Sequence, residues 1–234
     1  MKAAPWPVTA LFALSMALNL WFAGTPDWRW IPAALAGWYV ADLLSGLTHM
    51  YMDYRPCTAG IGLDRMFHYS GSRESAEYLD LRDSVLPRIS PFERLVYDFK
   101  NHHPRPEALG RRPFLVQIGS TILFVSLPAS LALNLACAGA GLPGWLIAAL
   151  VVLIAGGTLA QYFHGTLHRE DNPWIVRAMR RLHLLMTPEA HALHHATLRR
   201  DFATNTGWSN PLVNTVFRAA SARGWLNEAG LEPQ

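Results

Sequence analysis

Two apolar runs, residues 114–137 and 141–163, constrain this chain more than any other feature. A bilayer core of about 30 Å takes roughly 20 helical residues to cross, and each run meets that length. Two further runs, 8–24 and 31–51, have the same character. The expected architecture is therefore all-α: an integral membrane protein of four transmembrane helices and one domain, 1–234. The first run is short enough to resemble a signal peptide. Its basic region holds only Lys2 and no clean A-x-A site follows, so a retained helix is expected. Only 16% of the 234 residues are charged, against an ordinary share of about 25%. That deficit fits a chain solvated in part by lipid.

The loops decide orientation through the excess of Lys and Arg on the cytoplasmic side. With the N-terminus cytoplasmic, the outer segments 25–30 and 138–140 hold Arg29 alone. The loop 52–113, the tail 164–234 and Lys2 hold the other 19 of the 20 cations. Both termini are thus expected in the cytoplasm, with loop and tail forming a helical cap. Cys57 and Cys137 fall on opposite sides and form no pair. The cations are scattered, the net charge is only +3, and nothing forms a nucleic-acid footprint. Residues 174–186 place Ile175, Met179, Leu182 and Met186 on one helical face, with Arg177, Arg180 and Arg181 elsewhere around it. This basic amphipathic helix suits the headgroup plane, or equally packs on the cap.

All ten histidines map to the cap side. His164 and His168 are four residues apart, so both imidazoles share a helical face. His191, His194 and His195 combine i,i+3 and i,i+4 relations, and an adjacent pair can address two neighbouring metals. Pro188 suits the first turn of their helix. His102 and His103 form a second adjacent pair. On the second span, Asp42, His49 and Asp53 are spaced by seven and four and make one stripe. An acid inside a span is costly and by default a functional candidate; Asp42 either braces neighbouring helices or orients a ligand imidazole. His183 is a further candidate, and His68 is isolated.

Four clusters on one membrane face point to a metal site. A catalytic zinc takes three histidines, far fewer than are gathered here, so two ions are expected. H-E-x-x-H is absent, which removes the base of a metalloprotease. E-x-x-H, the signature of soluble di-iron bundles, is absent too. Imidazole-rich sites suit iron, zinc, copper or nickel. Iron supplies O2 chemistry that side chains lack. Three rivals remain: lipid hydroxylation at the same site, a zinc-dependent membrane hydrolase, and a metal transporter, whose ligands belong near the midplane.

At these residues the chain resembles the CarF/Kua-type lipid desaturases, which include plasmanylethanolamine desaturase and share the histidine-box logic of the membrane desaturase/hydroxylase superfamily. The similar segments are ADLLSGLTHMYMD (41–53), FKNHHPRP (99–106), QYFHGTLH (161–168) and HLLMTPEAHALHHATLRRDFATNTGWSNP (183–211). MYMDYRP stands where the family carries W-x-x-D-T-W-G, and the loop from Tyr54 to Phe99 is longer.

The resemblance implies metal ligation by His49, Asp53, His102, His103, His164, His168, His183, His191, His194 and His195; apart from Asp53 and His183, these are also the catalytic set. It implies O2-dependent desaturation at two iron ions, fed by an external electron donor such as a cytochrome b5-like protein or a ferredoxin. The substrate is then an alkyl or acyl chain of a membrane phospholipid, plausibly a plasmanylethanolamine converted to a vinyl-ether plasmalogen. Asn205, Thr206 and Trp208, with Asp42, become candidates for the substrate pocket or for ligand support.

Overall fold

The computed structural model describes residues 6–234; Lys2, counted above among the cap-side cations, lies outside the described residues. Helices make all the regular structure among the described residues. In chain order they are α1 (Trp6–Ala23), α2 (Trp30–Tyr54), α3 (Leu63–Phe67), α4 (Ala76–Val85), α5 (Pro91–His102), α6 (Pro106–Gly110), α7 (Phe114–Thr121), α8 (Leu127–Ala140), α9 (Gly144–Thr166), α10 (Trp174–Arg181), α11 (Pro188–Thr197) and α12 (Asn210–Ala222).

Three helical stretches are long and apolar enough to cross a membrane: Trp6–Ala23, Phe114–Ala140 and Gly144–Thr166. The middle one joins α7 to α8 through a π-helical turn, Ile122–Ser126. Pro128 explains the widening, because it has no N–H to return to the carbonyl of Phe124. The fourth expected span, α2, has 25 residues but does not reach the same hydropathy. Asp42, His49 and Asp53 lie within it and are buried rather than lipid-facing.

Several polar side chains within the bundle are paired. Ser15 and Ser130 hydroxyls lie 2.7 Å apart, and the amides of Asn19 and Asn134 donate to them at 2.8 Å each. This ladder joins α1 to α8, and Thr158 Oγ1 donates to Ser126 Oγ at 2.7 Å between α9 and the π turn. Such bonds are worth about 0.6–2 kcal/mol each in membrane proteins.

α2 runs along α9 at backbone contact. A Cβ on Gly37 would lie 2.2 Å from the Ala149 carbonyl oxygen. This packing sets His49 on α2 beside His164 on α9, with ring centroids 4.9 Å apart. The loop between α2 and α7 folds on its own apolar cluster of Met52, Leu63, Met66, Phe67, Tyr78, Val85, Val96 and Tyr97. That cluster holds α5 against the end of α2. α5 and α11 start on matched signals: Ser90 Oγ accepts from the Glu93 N–H before Pro91, and Thr187 Oγ1 accepts from the Ala190 N–H before Pro188.

The α2–α9 contact is testable by thermal unfolding in detergent. Gly37→Ala forces the two backbones apart and is expected to cost about 1–3 kcal/mol. Gly157→Ala meets nothing within 4 Å and is expected to be neutral or to gain up to about 1 kcal/mol.

Candidate metal centre

The donors converge at the ends of α2, α5 and α9 and along α11. They form two groups whose ligand atoms lie within 4.8 Å of one another: His102, His164, His168, His191 and His195 in the first, and His49, Asp53, His103 and His194 in the second. Local helix geometry explains the division. His191 and His195 are one turn apart and share a face, whereas His194 is rotated about 100° from His195 and turns to the other group. His102 and His103 split the same way at the end of α5. On α2, His49 and Asp53 share a face one turn apart, as their spacing requires.

Asp53 is the one carboxylate of the set. Its oxygens lie 3.3 Å from His49 Nε2, 3.5 Å from His103 Nε2 and 3.4 Å from His194 Nε2. In the first group, His191 Nε2 lies 3.1 Å from His164 Nε2 and 3.2 Å from His195 Nε2. Two neutral imidazoles share at most one proton between facing nitrogens. A cluster of this density is therefore short of protons and rich in lone pairs.

Three of the rings are oriented from behind by backbone carbonyls. His49 Nδ1 pairs with the Phe202 carbonyl at 2.9 Å, His194 Nδ1 with that of Arg200 at 2.9 Å, and His102 Nδ1 with that of Phe99. An N–H donated there leaves Nε2 as the lone pair facing inward, the arrangement found behind metal-binding histidines. Those inward atoms have no partner: His49 Nε2, His102 Nε2, His103 Nε2, His168 Nε2, His194 Nε2 and both Asp53 oxygens are buried and unsatisfied. Each buried polar atom left so costs about 1–3 kcal/mol. Cations between the donors relieve that cost, so the residues present fit two metal ions. Burial also lowers the imidazole pKa values, His168 to about 4 and His195 to about 3, with His102, His103 and His191 displaced in the same direction. Neutral imidazole is the ligating form.

Other expected site residues fall elsewhere. His183 is exposed, in the left-handed region (φ 57°) just after α10, and outside both donor groups. Asp42 touches no imidazole; its carboxylate accepts from the backbone N–H groups of Thr206, Gly207 and Ser209 and from the Ser209 hydroxyl. It braces, and does not orient a ligand. Asn205 donates to the Gly156 carbonyl, Thr206 Oγ1 accepts from the Trp208 N–H, and Trp208 is 38% exposed. His68 is exposed and lies 3.7 Å from Glu232.

One supporting residue, two positions before His102, was not a candidate by its spacing. Lys100, fully buried on α5, donates to the carbonyls of Met52 (3.1 Å), Asp53 and Gly230. All three ammonium protons are used on backbone. Two of those carbonyls belong to the last turn of α2, where cations are favoured, and the third ties in the C-terminal turn. Gly230 is required there, because a Cβ would meet the Tyr54 carbonyl oxygen at 2.1 Å.

Buried imidazoles and one carboxylate on a helical membrane bundle make a candidate metal centre of two donor groups. The sequence model of the lipid desaturase domain matches residues 91–221, more than half of the chain, and the protein belongs to that family. The plasmanylethanolamine desaturase of Myxococcus xanthus is 28% identical over 235 residues, covering 97% of this chain and 72% of its own length. No solved structure gives a significant match. Family and apolar helices together make this a multi-pass membrane oxidoreductase acting on lipid.

Lys100→Met removes the donor and strands three buried carbonyls. The expected loss is about 3 kcal/mol, read as a lowered unfolding midpoint in detergent, with recovery in Lys100→Arg.

Proposed function

We propose that this protein is an O2-dependent di-iron lipid desaturase of one domain, with both termini cytoplasmic, and that its substrate is a plasmanyl-type ether phospholipid. The observation that carries the reading is the pair of donor groups with unsatisfied inward-facing atoms. His102, His164, His168, His191 and His195 would hold one iron, and His49, Asp53, His103 and His194 the other. Bound iron supplies the activation of O2 needed to remove hydrogen from an unactivated methylene. The balance is that two adjacent methylenes lose one hydrogen each, O2 is reduced to two waters, and an external donor supplies two electrons with two protons from solvent. The relative's name supports a plasmanylethanolamine substrate, whose new double bond would adjoin the ether oxygen.

The chain's own residues do the rest. Phe202, Arg200 and Phe99 carbonyls hold the rings of His49, His194 and His102 in one tautomer. Asp53 contributes the anionic donor that a dication favours over neutral imidazole alone. Burial of His49, His102, His164, His191 and His194 excludes bulk water from the oxidising centre. A surface cleft between Phe67, Pro104, Leu198 and the last C-terminal residues reaches His103 and His195, and offers the route by which electrons and protons enter. A cytochrome b5-like protein or a ferredoxin is the donor class this requires.

Purified protein is expected to carry about two irons per chain, matching the two groups; one ion or fewer, or zinc in place of iron, would overturn the di-iron reading. His194→Ala and His168→Ala are expected to abolish product. In cells making ether lipids, mass spectrometry should show a loss of two hydrogens and an acid-labile vinyl ether only with the intact protein. A hydroxylated product would select hydroxylation instead, and turnover without O2 would select hydrolysis.

A further inference from the structure

The depth of the C-terminal segment relative to the spans can be counted along the helices. α1 has 18 residues, about 27 Å at 1.5 Å per residue, slightly short of one bilayer core of about 30 Å, so its two ends mark the core's limits closely. Near one end, Val8 and Phe12 pack on the same cluster of Ile118, Ile122 and Leu127 as Leu159 and Tyr162 of α9. At the other, the Ala23 carbonyl lies against Gly144, where a Cβ would come within 2.2 Å. The lipid core thus runs along α9 from Gly144 to about Tyr162. Gly156 is six residues, about 9 Å, inside the histidine-side boundary. Trp38 and Ala41 of α2 pack against it at the same depth.

The chain that follows α9 returns to this depth twice. After α10, the Leu184 carbonyl accepts from Trp38 Nε1 at 3.0 Å. After α11, Asn205 donates to the Gly156 carbonyl at 3.2 Å, and Asp42 takes the N–H groups of Thr206 (2.7 Å), Gly207 (3.1 Å) and Ser209 (2.9 Å). The two dips are joined by the Met186 N–H donating to the Asn205 carbonyl at 2.7 Å. Residues 202–206 are all buried. Irregular backbone at membrane depth persists only where protein satisfies its polar groups, and here Asp42, Asn205 and the Trp38 indole do so.

α12 then climbs back along α2, with Val213 against Gly46 and Phe217 against Tyr54. Its uncovered face reads Trp208, Leu212, Val216, one turn apart each and 38–45% exposed. The first charge beyond that face is Arg218, toward the shallow end. Val40 and Leu44, on the α2 turns alongside, are also exposed and apolar. At the boundary itself, α10 exposes Trp174 and Ile175 beside Arg177, and buries Val176 against Phe163.

We propose that two returning stretches, residues 184–186 and 202–216, are set into the histidine-side leaflet, and that Trp208, Leu212 and Val216, together with Val40 and Leu44, form a surface covered by acyl chains of that leaflet. The inference rests on the membrane reading of the spans and not on the metals. It gives Asp42 a role as backbone acceptor for buried re-entrant chain. It also revises the tail from a cap lying wholly outside the bilayer to one whose two returning stretches lie within it. The donor groups then stand within about 10 Å of acyl chains, since His49 is seven residues beyond Asp42 on α2.

The experiment uses the full chain in phosphatidylcholine vesicles, with and without chains brominated near the headgroup. Single cysteines replacing Leu212, Val216 or Ser221 carry an environment-sensitive fluorophore, and Leu14→Cys on α1 reports that the spans are inserted. Labels at Leu212 and Val216 are expected to be quenched several-fold more by bromolipid than the label at Ser221. An aqueous quencher should give the reverse order. If Leu14→Cys is quenched by bromolipid while the Leu212 and Val216 labels respond only to the aqueous quencher, α12 lies in water and the inference fails. Should Leu212→Cys not fold, Val216→Cys decides alone. Metal content of the same samples is read separately, so loss of the di-iron reading leaves this result standing.

Discussion

The backbone approach of α2 to α9 is the contact on which the rest of the molecule depends. Gly37 lies against the Ala149 carbonyl, and Gly156 against Ala41 and Trp38. Between apolar helices in lipid there is little hydrophobic drive, so small residues that permit close packing carry the association. The consequence appears two to three turns further on, where His49 and Asp53 emerge beside His164. A wider crossing there would separate the α2 donors from those on α9.

The centre itself is a concentration of unmet demand. Nine donors turn their lone pairs inward, most without a protein partner. At about 1–3 kcal/mol for each unsatisfied buried atom, such a cluster is costly without ions to hold it. Lys100 and the carbonyls of Phe99, Arg200 and Phe202 spend polar contacts on holding the frame. Metal binding at such a centre would therefore be linked to the local fold, as in other sites where ligation supplies folding free energy.

Asp42 and Asp53 show how two acids on one stripe diverge in use. Both are fully buried on α2. Asp53, one turn from His49, meets imidazoles. Asp42, seven residues before His49, meets the N–H groups of a returning chain. A carboxylate removed from water needs donors or cations: Asp42 finds backbone donors, whereas both Asp53 oxygens are left open to a cation.

Much of this was readable in the sequence. Helical periodicity determined which histidines share a face, and the adjacent pairs His102–His103 and His194–His195 divide between two groups as their angular offset demands. Hydropathy pointed to four spans; three helices are long and apolar enough to cross a membrane, and α2 falls short of them where it carries buried acids. Spacing did not separate His183 from the histidines that converge; it sits in a left-handed turn after α10, outside both donor groups, which only the folded backbone reveals. The role of Lys100, which sits within FKNHHPRP, and the carbonyls behind the rings were invisible, since backbone acceptors have no residue signature. The apolar runs determined that the chain belongs in lipid; how deep its C-terminal third reaches was decided by tertiary structure alone, because depth is a relation between segments far apart in the chain.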